Sequence, residues 1–349
     1  MYNDVGDSKR RSLQIGIAGA GLMGRWHAEA AHKSGGRVTA IMDPDLDRAG
    51  RLASHYPNAL GFSDVETMLG QADLDVLHIC SPGPTHFMLA SLAIEARLHL
   101  LIEKPITQTV EEAVQIHSQA ANHGLLVCPI HQFIFQDGVL KAKTLLPQIG
   151  QLVHIDATIC SAGGVGLTAD QLDLIVADVL PHPLSLMQVF LPGSLRAERW
   201  TTFHPHAGEL RVFGEVSGVT FAFFISMNAR PTTNSFLILG TDATIRLDLF
   251  HGYSFIEPGQ VSRNRKIMHP FELSMRILLA TTSNLSRRAL RREPAYPGLR
   301  QLVSSFYKAV RTNSPSPISP DDSIQIARAR DHLIETAGLA VPKGNYMGT

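Results

Sequence analysis

The chemistry-bearing residues nearest the start of the chain form Gly19-Ala20-Gly21-Leu22-Met23-Gly24, which follows the apolar run Leu13-Gln14-Ile15-Gly16-Ile17-Ala18 and precedes a helical pattern. Strand, glycine turn and helix in that order make a dinucleotide site. The first glycine permits the tight turn, the second lets backbone N–H groups approach a pyrophosphate, and the third lets helix and strand pack closely. The helix N-terminus then faces negative phosphate. Further along, Glu103-Lys104-Pro105 follows the apolar Leu100-Leu101-Ile102, so a lysine sits on the loop leaving a buried strand. Together these features point to a cofactor with a lysine beside it.

Asp43 ends the second strand-like run, 19 residues beyond Gly24, close to the roughly 20 at which an acidic residue meets the ribose. A carboxylate there accepts from ribose hydroxyls and repels a 2′-phosphate, so NAD is expected over NADP, with NADP possible. Asp43 also precedes Pro44 and serves equally as a turn residue. Ser81-Pro82-Gly83-Pro84-Thr85-His86 follows the strand ending at Cys80 and lies at the carboxyl edge of the sheet, where ligands of open α/β sheets bind. The same residues make a rigid turn with Thr85 as a cap, and for His86 that structural role weighs as much as contact with a nicotinamide. The expected cofactor-binding set is Gly19, Gly21, Leu22, Met23, Gly24, Asp43, Ser81, Pro82, His86, Glu103 and Lys104.

The elements that must position these residues divide into two parts. From Leu13 to Pro129, strand-like runs at 38–42, 75–80, 99–102 and 125–129 alternate with helical patterns, as a doubly wound parallel sheet requires. After Gly150, runs at 151–159, 211–216, 219–227, 235–239 and 243–249 follow one another with turn signals, which favours an antiparallel sheet. The expected fold is an α/β Rossmann domain over 13–129 and an α+β domain with a large, mainly antiparallel open sheet over 130–349. A polar tail covers 1–12, and the C-terminal helices are expected to pack back toward the first domain. The run at 219–225 is apolar on nearly every residue, so both its faces are expected to be covered, one by a second subunit in a homodimer or homotetramer.

At 349 residues the chain exceeds one ordinary core, and 31 basic residues balance 31 acidic ones. Nothing global favours nucleic acid or stable membrane association, which leaves a small molecule as the expected partner. Cys80, Cys128 and Cys160 stand in apolar surroundings without disulfide or zinc spacing, so a reducing cytoplasm and no metal are expected. No run is expected to reach membrane-span length. Segment 263–300 is strongly basic, and a solvated helix face is the ordinary reading of such a stretch.

The chain resembles the Gfo/Idh/MocA oxidoreductases, the family of glucose–fructose oxidoreductase and inositol dehydrogenase. The resemblance rests on the glycine motif with Arg25-Trp26-His27, Asp43, the turn from Pro82 to His86, Glu103-Lys104-Pro105, Asp178-x-x-x-His182 and Gly240-Thr241-Asp242. It implies hydride transfer between nicotinamide and a carbinol carbon of a sugar-like or cyclic alcohol. Lys104 would stabilise charge on the reacting oxygen. His182 would exchange the hydroxyl proton, and Asp178 would orient its imidazole. A cis Lys104–Pro105 bond is also implied.

Without the resemblance, a lysine before a proline is usually just exposed, and aspartate and histidine four apart often pair on a helix surface. Pro181 and Pro183 flank His182, so the helix is expected to begin near Pro183, which puts the one-turn spacing to Asp178 in question. Relatives place an aspartate where Ser185 stands and often an arginine where Ile134 stands. His131, Gln132, Gln136 and Asp156 are the candidate substrate contacts, each equally able to serve structure alone. Two alternatives accompany the dehydrogenase reading: an NAD-retaining enzyme that uses transient oxidation for elimination or glycoside cleavage, and a non-catalytic NAD-sensing protein.

Overall fold

The structure, a computed structural model, describes residues 11–196, 200–259, 265–293 and 295–340. Most of the expected tail therefore lies outside the described residues. The chain divides into two compact units. The first takes the residues through Ile106, Val114–Ile130 and Leu302–Pro320; the second takes Thr107–Ala113, His131–Gln301 and the residues from Asp321 onward.

The first unit runs β1 (Gln14–Ala18), α1 (Leu22–Lys33), β2 (Arg37–Met42), α2 (Leu46–Ala53), β3 (Leu60–Phe62), α3 (Val65–Gln71), β4 (Val76–Ile79), α4 (His86–Glu95), β5 (His99–Ile102), most of α5 (Val110–Asn122) and β6 (Val127–Pro129). Its six strands pair in parallel in the order β3-β2-β1-β4-β5-β6, with β1 at the point where the order reverses. The central strands are apolar on successive residues because both faces are buried: Ile15, Ile17, Leu77, Ile79, Leu100, Leu101 and Ile102 are inaccessible to solvent. Asp45 and Asp64 cap α2 and α3, each accepting the N–H of the residue three further on. β3, three residues long, has no counterpart in the sequence reading.

The second unit contains α6 (Asp137–Leu145), β7 (Leu152–Cys160), α7 (Ala169–Val179), α8 (Pro181–Phe190), β8 (Trp200–Phe203), β9 (Glu209–Val216), β10 (Val219–Ser226), β11 (Thr233–Gly240), β12 (Ala243–Asp248), β13 (Tyr253–Pro258) and α9 (Arg265–Arg291). Its sheet has the order β13-β12-β11-β7-β10-β9-β8, antiparallel except where β7 and β10 pair in parallel. α10 (Leu299–Thr312) falls almost wholly in the first unit and α11 (Pro320–Ala337) almost wholly in the second.

One face of the second sheet carries the core. Ile155, Ala157, Phe221, Phe223, Ile225, Phe236 and Ile238 cluster with Val176, Leu180, Leu184 and Met187 of the α7–α8 region and with Leu333 of α11. Within this chain the opposite face is only partly covered. Along β10 the buried Phe221 and Phe223 alternate with half-buried Ala222 and Phe224, and the Arg211 guanidinium lies 5.0 Å from the Phe224 ring centroid. The stretch Ala169–Phe190 has 22 residues and a mean hydropathy of 1.2. Contrary to the sequence reading, it is long and apolar enough to span a membrane, but it is the α7–α8 pair of this core.

Candidate active site

The glycine turn is built as its spacing predicts. Gly19 adopts φ +102°, and a Cβ there would lie 2.8 Å from the backbone of Cys80 and Ser81. At Gly24 a Cβ would lie 1.8 Å from the Gly19 carbonyl oxygen, so only glycine lets α1 sit this close to β1. Gly21, the N-cap of α1, has nothing within 4 Å of its missing side chain. Two glycines are therefore consumed by packing, and the middle one leaves its backbone open to a ligand. A cavity of about 820 Å³ adjoins it, lined by Ala20, Gly21, Leu22, Arg25, Arg48 and Arg51 among others.

Asp43 is buried, and its two oxygens accept the N–H groups of Ala20 (2.8 Å) and Asp45 (3.0 Å). It thereby ties the end of β2 to the glycine turn, while the Arg48 guanidinium approaches it at 3.5 Å. A carboxylate has about four lone-pair sites, so capacity for a ribose hydroxyl remains. In the next loop, Ser81 and Thr85 hydroxyls are 2.6 Å apart, and Thr85 donates to the Pro82 carbonyl. The ring nitrogens of His86 face the carbonyl oxygens of Pro105 (2.8 Å) and Ser81 (2.9 Å). Burial, only partly offset by those carbonyls, lowers its pKa. At 1% exposure His86 fastens one sheet-edge loop to the next, which is the structural role of its two readings.

Lys104 is half-buried on the loop after β5, and its bond to Pro105 is cis. Glu103 turns inward instead of toward the cavity. Its Oε1 lies 3.0 Å from His27 Nε2, and its Oε2 accepts the Lys104 N–H at 3.1 Å. His27 Nδ1 lies 3.0 Å from His78 Nδ1, and His78 Nε2 lies 2.8 Å from the Tyr307 hydroxyl. Four buried polar side chains thus form one line from α10 to the base of the Lys104 loop. Burial pushes the Glu103 carboxyl up, but the His27 hydrogen bond and the Lys104 ammonium outweigh it and bring it below its ordinary value. Burial holds His78 well below the usual histidine range and Tyr307 well above the usual tyrosine range.

In the second unit, the expected helix start near Pro183 is corrected. α8 begins at Pro181, and Leu180 keeps helical backbone angles (φ −49°, ψ −40°). The Leu180 N–H donates to Val176 and the Leu184 N–H to Leu180, both at 3.2 Å. Helical geometry therefore runs through the junction, and Asp178 and His182 stand one turn apart on one face. Pro181 has no N–H to give the Ala177 carbonyl. That carbonyl accepts instead from Arg330 Nε at 3.4 Å. Arg330, 3% exposed, also donates to the Gln108 carbonyl (3.2 Å) and pairs with Asp331 (3.1 Å). Burial lowers its pKa, opposed by the nearby Asp331 and Asp178 carboxylates.

The His182 ring stacks on Phe133 with centroids 4.4 Å apart. Ser185 donates to the His182 carbonyl at 2.9 Å, so the residue standing in place of an aspartate closes a turn of helix. His131 and Gln132 are buried beside Phe133. Gln136 donates to the Leu249 carbonyl (3.2 Å), binding the start of α6 to the end of β12. Asp156 is misplaced in the expected substrate set. It alternates with core-facing Ile155 and Ala157 on β7, so it lies on the sheet face opposite α8.

Comparison with known proteins bears on the family. The Gfo/Idh/MocA profile, described as an oxidoreductase family with an NAD-binding Rossmann fold, matches residues 13–131. Residues 13–131, about a third of the chain, are similar to that family. Inositol 2-dehydrogenase 4 of Saccharopolyspora erythraea is 36% identical over 108 residues, which cover 30% of this chain and 32% of the relative. The chain thus spans about a third of the length of this curated relative. UDP-N-acetylglucosamine 3-dehydrogenase of Acidithiobacillus ferrooxidans is 29% identical over 157 residues, covering 41% of this chain and 49% of the relative.

Solved structures extend the likeness of fold to nearly the whole chain. The Acidithiobacillus ferrooxidans enzyme superposes with a TM-score of 0.73 at 18% identity, covering 95% of this chain and all of that one. The WlbA dehydrogenase of Bordetella pertussis, solved with NADH and UDP-GlcNAcA, gives 0.75 at 14% identity and covers 95% and 97%. Both domains therefore share the fold of these two dehydrogenases. Sequence reasoning missed His78, Tyr307, Phe133 and Arg330. The first two are joined by a contact 229 residues apart in sequence, and Arg330 answers a defect created by Pro181 that only three-dimensional structure reveals.

Proposed function

We propose that this protein is an NAD(P)-dependent dehydrogenase or reductase acting on a CH–OH group of a cyclitol or sugar-like substrate. The observation that carries the proposal is the open backbone at Gly21, the N-cap of α1, beside the arginine-lined cavity. This arrangement fits a dinucleotide pyrophosphate and gives Gly19 and Gly24 a reason to be glycine. Such a cofactor supplies the hydride acceptor or donor. Asp43 favours NAD through ribose hydroxyls, and Arg48 and Arg51 offer partners for the 2′-phosphate of NADP.

Lys104 hydrogen-bonds the reacting oxygen and stabilises the charge that develops on it. His182 takes the hydroxyl proton during oxidation and returns it during reduction, with Asp178 one helical turn away to orient the imidazole. Phe133, stacked on that imidazole, restricts its tilt. Inositols and UDP-linked hexosamines are the substrate classes named for the relatives. Ile134 in place of an arginine favours the less anionic of the two, a cyclitol or simple sugar.

Lys104→Ala and His182→Ala, assayed on a panel of inositols, hexoses and UDP-sugars with NAD and NADP, should each lower kcat by about 10²–10⁴-fold. Dinucleotide affinity, measured by titration calorimetry, should stay within a few-fold of wild type. Unchanged turnover in both variants refutes the assignment.

A further inference from the structure

α9 wears its amphipathicity inside out. Helices at protein surfaces ordinarily turn their apolar stripe inward, but the inward side of α9 makes polar contacts. His269 pairs with Glu257 at 3.0 Å, Arg276 donates to the Ile256 carbonyl at 3.3 Å, and Asn284 donates to the His251 carbonyl at 2.6 Å. The outward side carries Phe271 (69% exposed), Met275 (54%), Leu278 (58%) and Leu285 (53%), flanked by exposed Ile267, Met268 and Leu279.

The spacing of this stripe identifies its occupant. Phe271, Met275, Leu278, Thr282, Leu285 and Ala289 recur at alternating intervals of four and three, the 3.5-residue period of a helix packed along a second helix. No charged residue falls on the seam, and Thr282 and Ala289 are small enough to admit a close neighbour. Seven large apolar side chains on this one helix, Ile267, Met268, Phe271, Met275, Leu278, Leu279 and Leu285, are each more than half exposed, a contiguous apolar face of the order of one partner's ~800 Å² share of a standard interface.

The charge distribution argues against an anionic lipid surface. An interfacial helix needs several cations free to meet headgroups, but here Arg276 and Arg288 donate to backbone carbonyls and Arg291 pairs with Asp137 at 2.8 Å, which leaves Arg287 as the exposed cation among the described side chains of α9.

We propose that the α9 seam is a self-association surface on which the same seam of a second copy of this chain packs about a two-fold axis. The two-fold falls near Leu278, midway along the stripe, so this side chain meets its own counterpart.

Light scattering after size exclusion of the full chain tests the pairing. Leu278→Glu and Leu278→Lys should each reduce the wild-type mass by half, because like charges then face one another in an apolar seam. An equimolar mixture of the two variants should regain the wild-type mass. Leu290→Glu, at an 84% exposed position off the seam, should leave the mass unchanged. Wild-type mass in both Leu278 variants, or a mixture that fails to reassemble, overturns the proposal. So does a monomeric wild type that floats with vesicles containing phosphatidylserine, which would assign the face to a membrane.

Discussion

Tyr307→Phe should destabilise the first unit by about 1–3 kcal/mol, through one oxygen atom far from any solvent. Tyr307, His78 and His27 are fully buried and Glu103 is 7% exposed, so no water replaces a lost partner. One arrangement uses every donor of the line once. The Tyr307 hydroxyl donates to His78 Nε2, His78 Nδ1–H to His27 Nδ1, and His27 Nε2–H to the ionised Glu103. The pKa directions agree with it. Tyr307 is held in its protonated, donating form, His78 in its neutral form and Glu103 in its ionised form.

Phenylalanine keeps the ring and its packing, so the cavity term is small and the cost is that of stranding the His78 acceptor. A typical exposed Tyr→Phe change stays within about 0.5 kcal/mol, which separates the two cases. Urea unfolding of the full chain, followed through a probe in the first unit, measures the difference. The Glu103 Oε2 that accepts the Lys104 N–H lies at the other end of the line, so turnover should fall as well, with dinucleotide affinity less affected. Stability within 0.5 kcal/mol of wild type refutes the reasoning.

Two other positions give distinct readouts. Burial lowers His117 from 6.5 to about 4, so the unfolded chain takes up its proton first as pH falls. Its contribution is neutral above pH ~6.5 and turns unfavourable down to pH ~4, with a loss of about 2 kcal/mol between pH 7.5 and 5.0. His117→Gln should remove that part of the acid sensitivity in denaturation curves, and identical pH slopes would contradict it. Arg330→Met should cost about 3–5 kcal/mol by leaving Asp331 without its buried partner and the Ala177 carbonyl without its donor. Arg330→Lys should recover only part of this, since one ammonium cannot reach three separated acceptors; full recovery would show that charge alone matters.

The first unit was largely legible because its signals are local. A glycine turn after an apolar run, and a carboxylate 19 residues on, depend on neighbours within a few turns of chain. The strands at 99–102 and 38–42 were visible because burial on both faces keeps most of their residues apolar. β3 has three residues, too few for a period, while β8 and β13 lie at the two sheet edges, where burial demands less of the sequence. Asp156 was misjudged because chemical type drew attention before alternation did. Ile155 and Ala157 already assign the core face of β7, and a strand has only one other face.

The double proline around His182 shows how a sound local rule can mislead. Proline inside a helix removes a donor and crowds the preceding turn, which ordinarily costs about 3 kcal/mol, so placing the helix start at Pro183 follows from the sequence. The cost has separable parts, however, and the fold addresses one of them directly. Pro181 is the first residue of α8, where its fixed φ suits the helix. The carbonyl it leaves without a donor, Ala177, accepts from Arg330. Arg330 is itself kept in place by Asp331 and the Gln108 carbonyl. The junction can then retain helical angles, and Asp178 stays one turn from His182. A proton-transfer role for His182 thus depends on a guanidinium about 150 residues away in sequence. If Arg330→Met leaves kcat untouched while lowering stability, the helix is merely supported there, and the orientation of His182 must come from Phe133 instead.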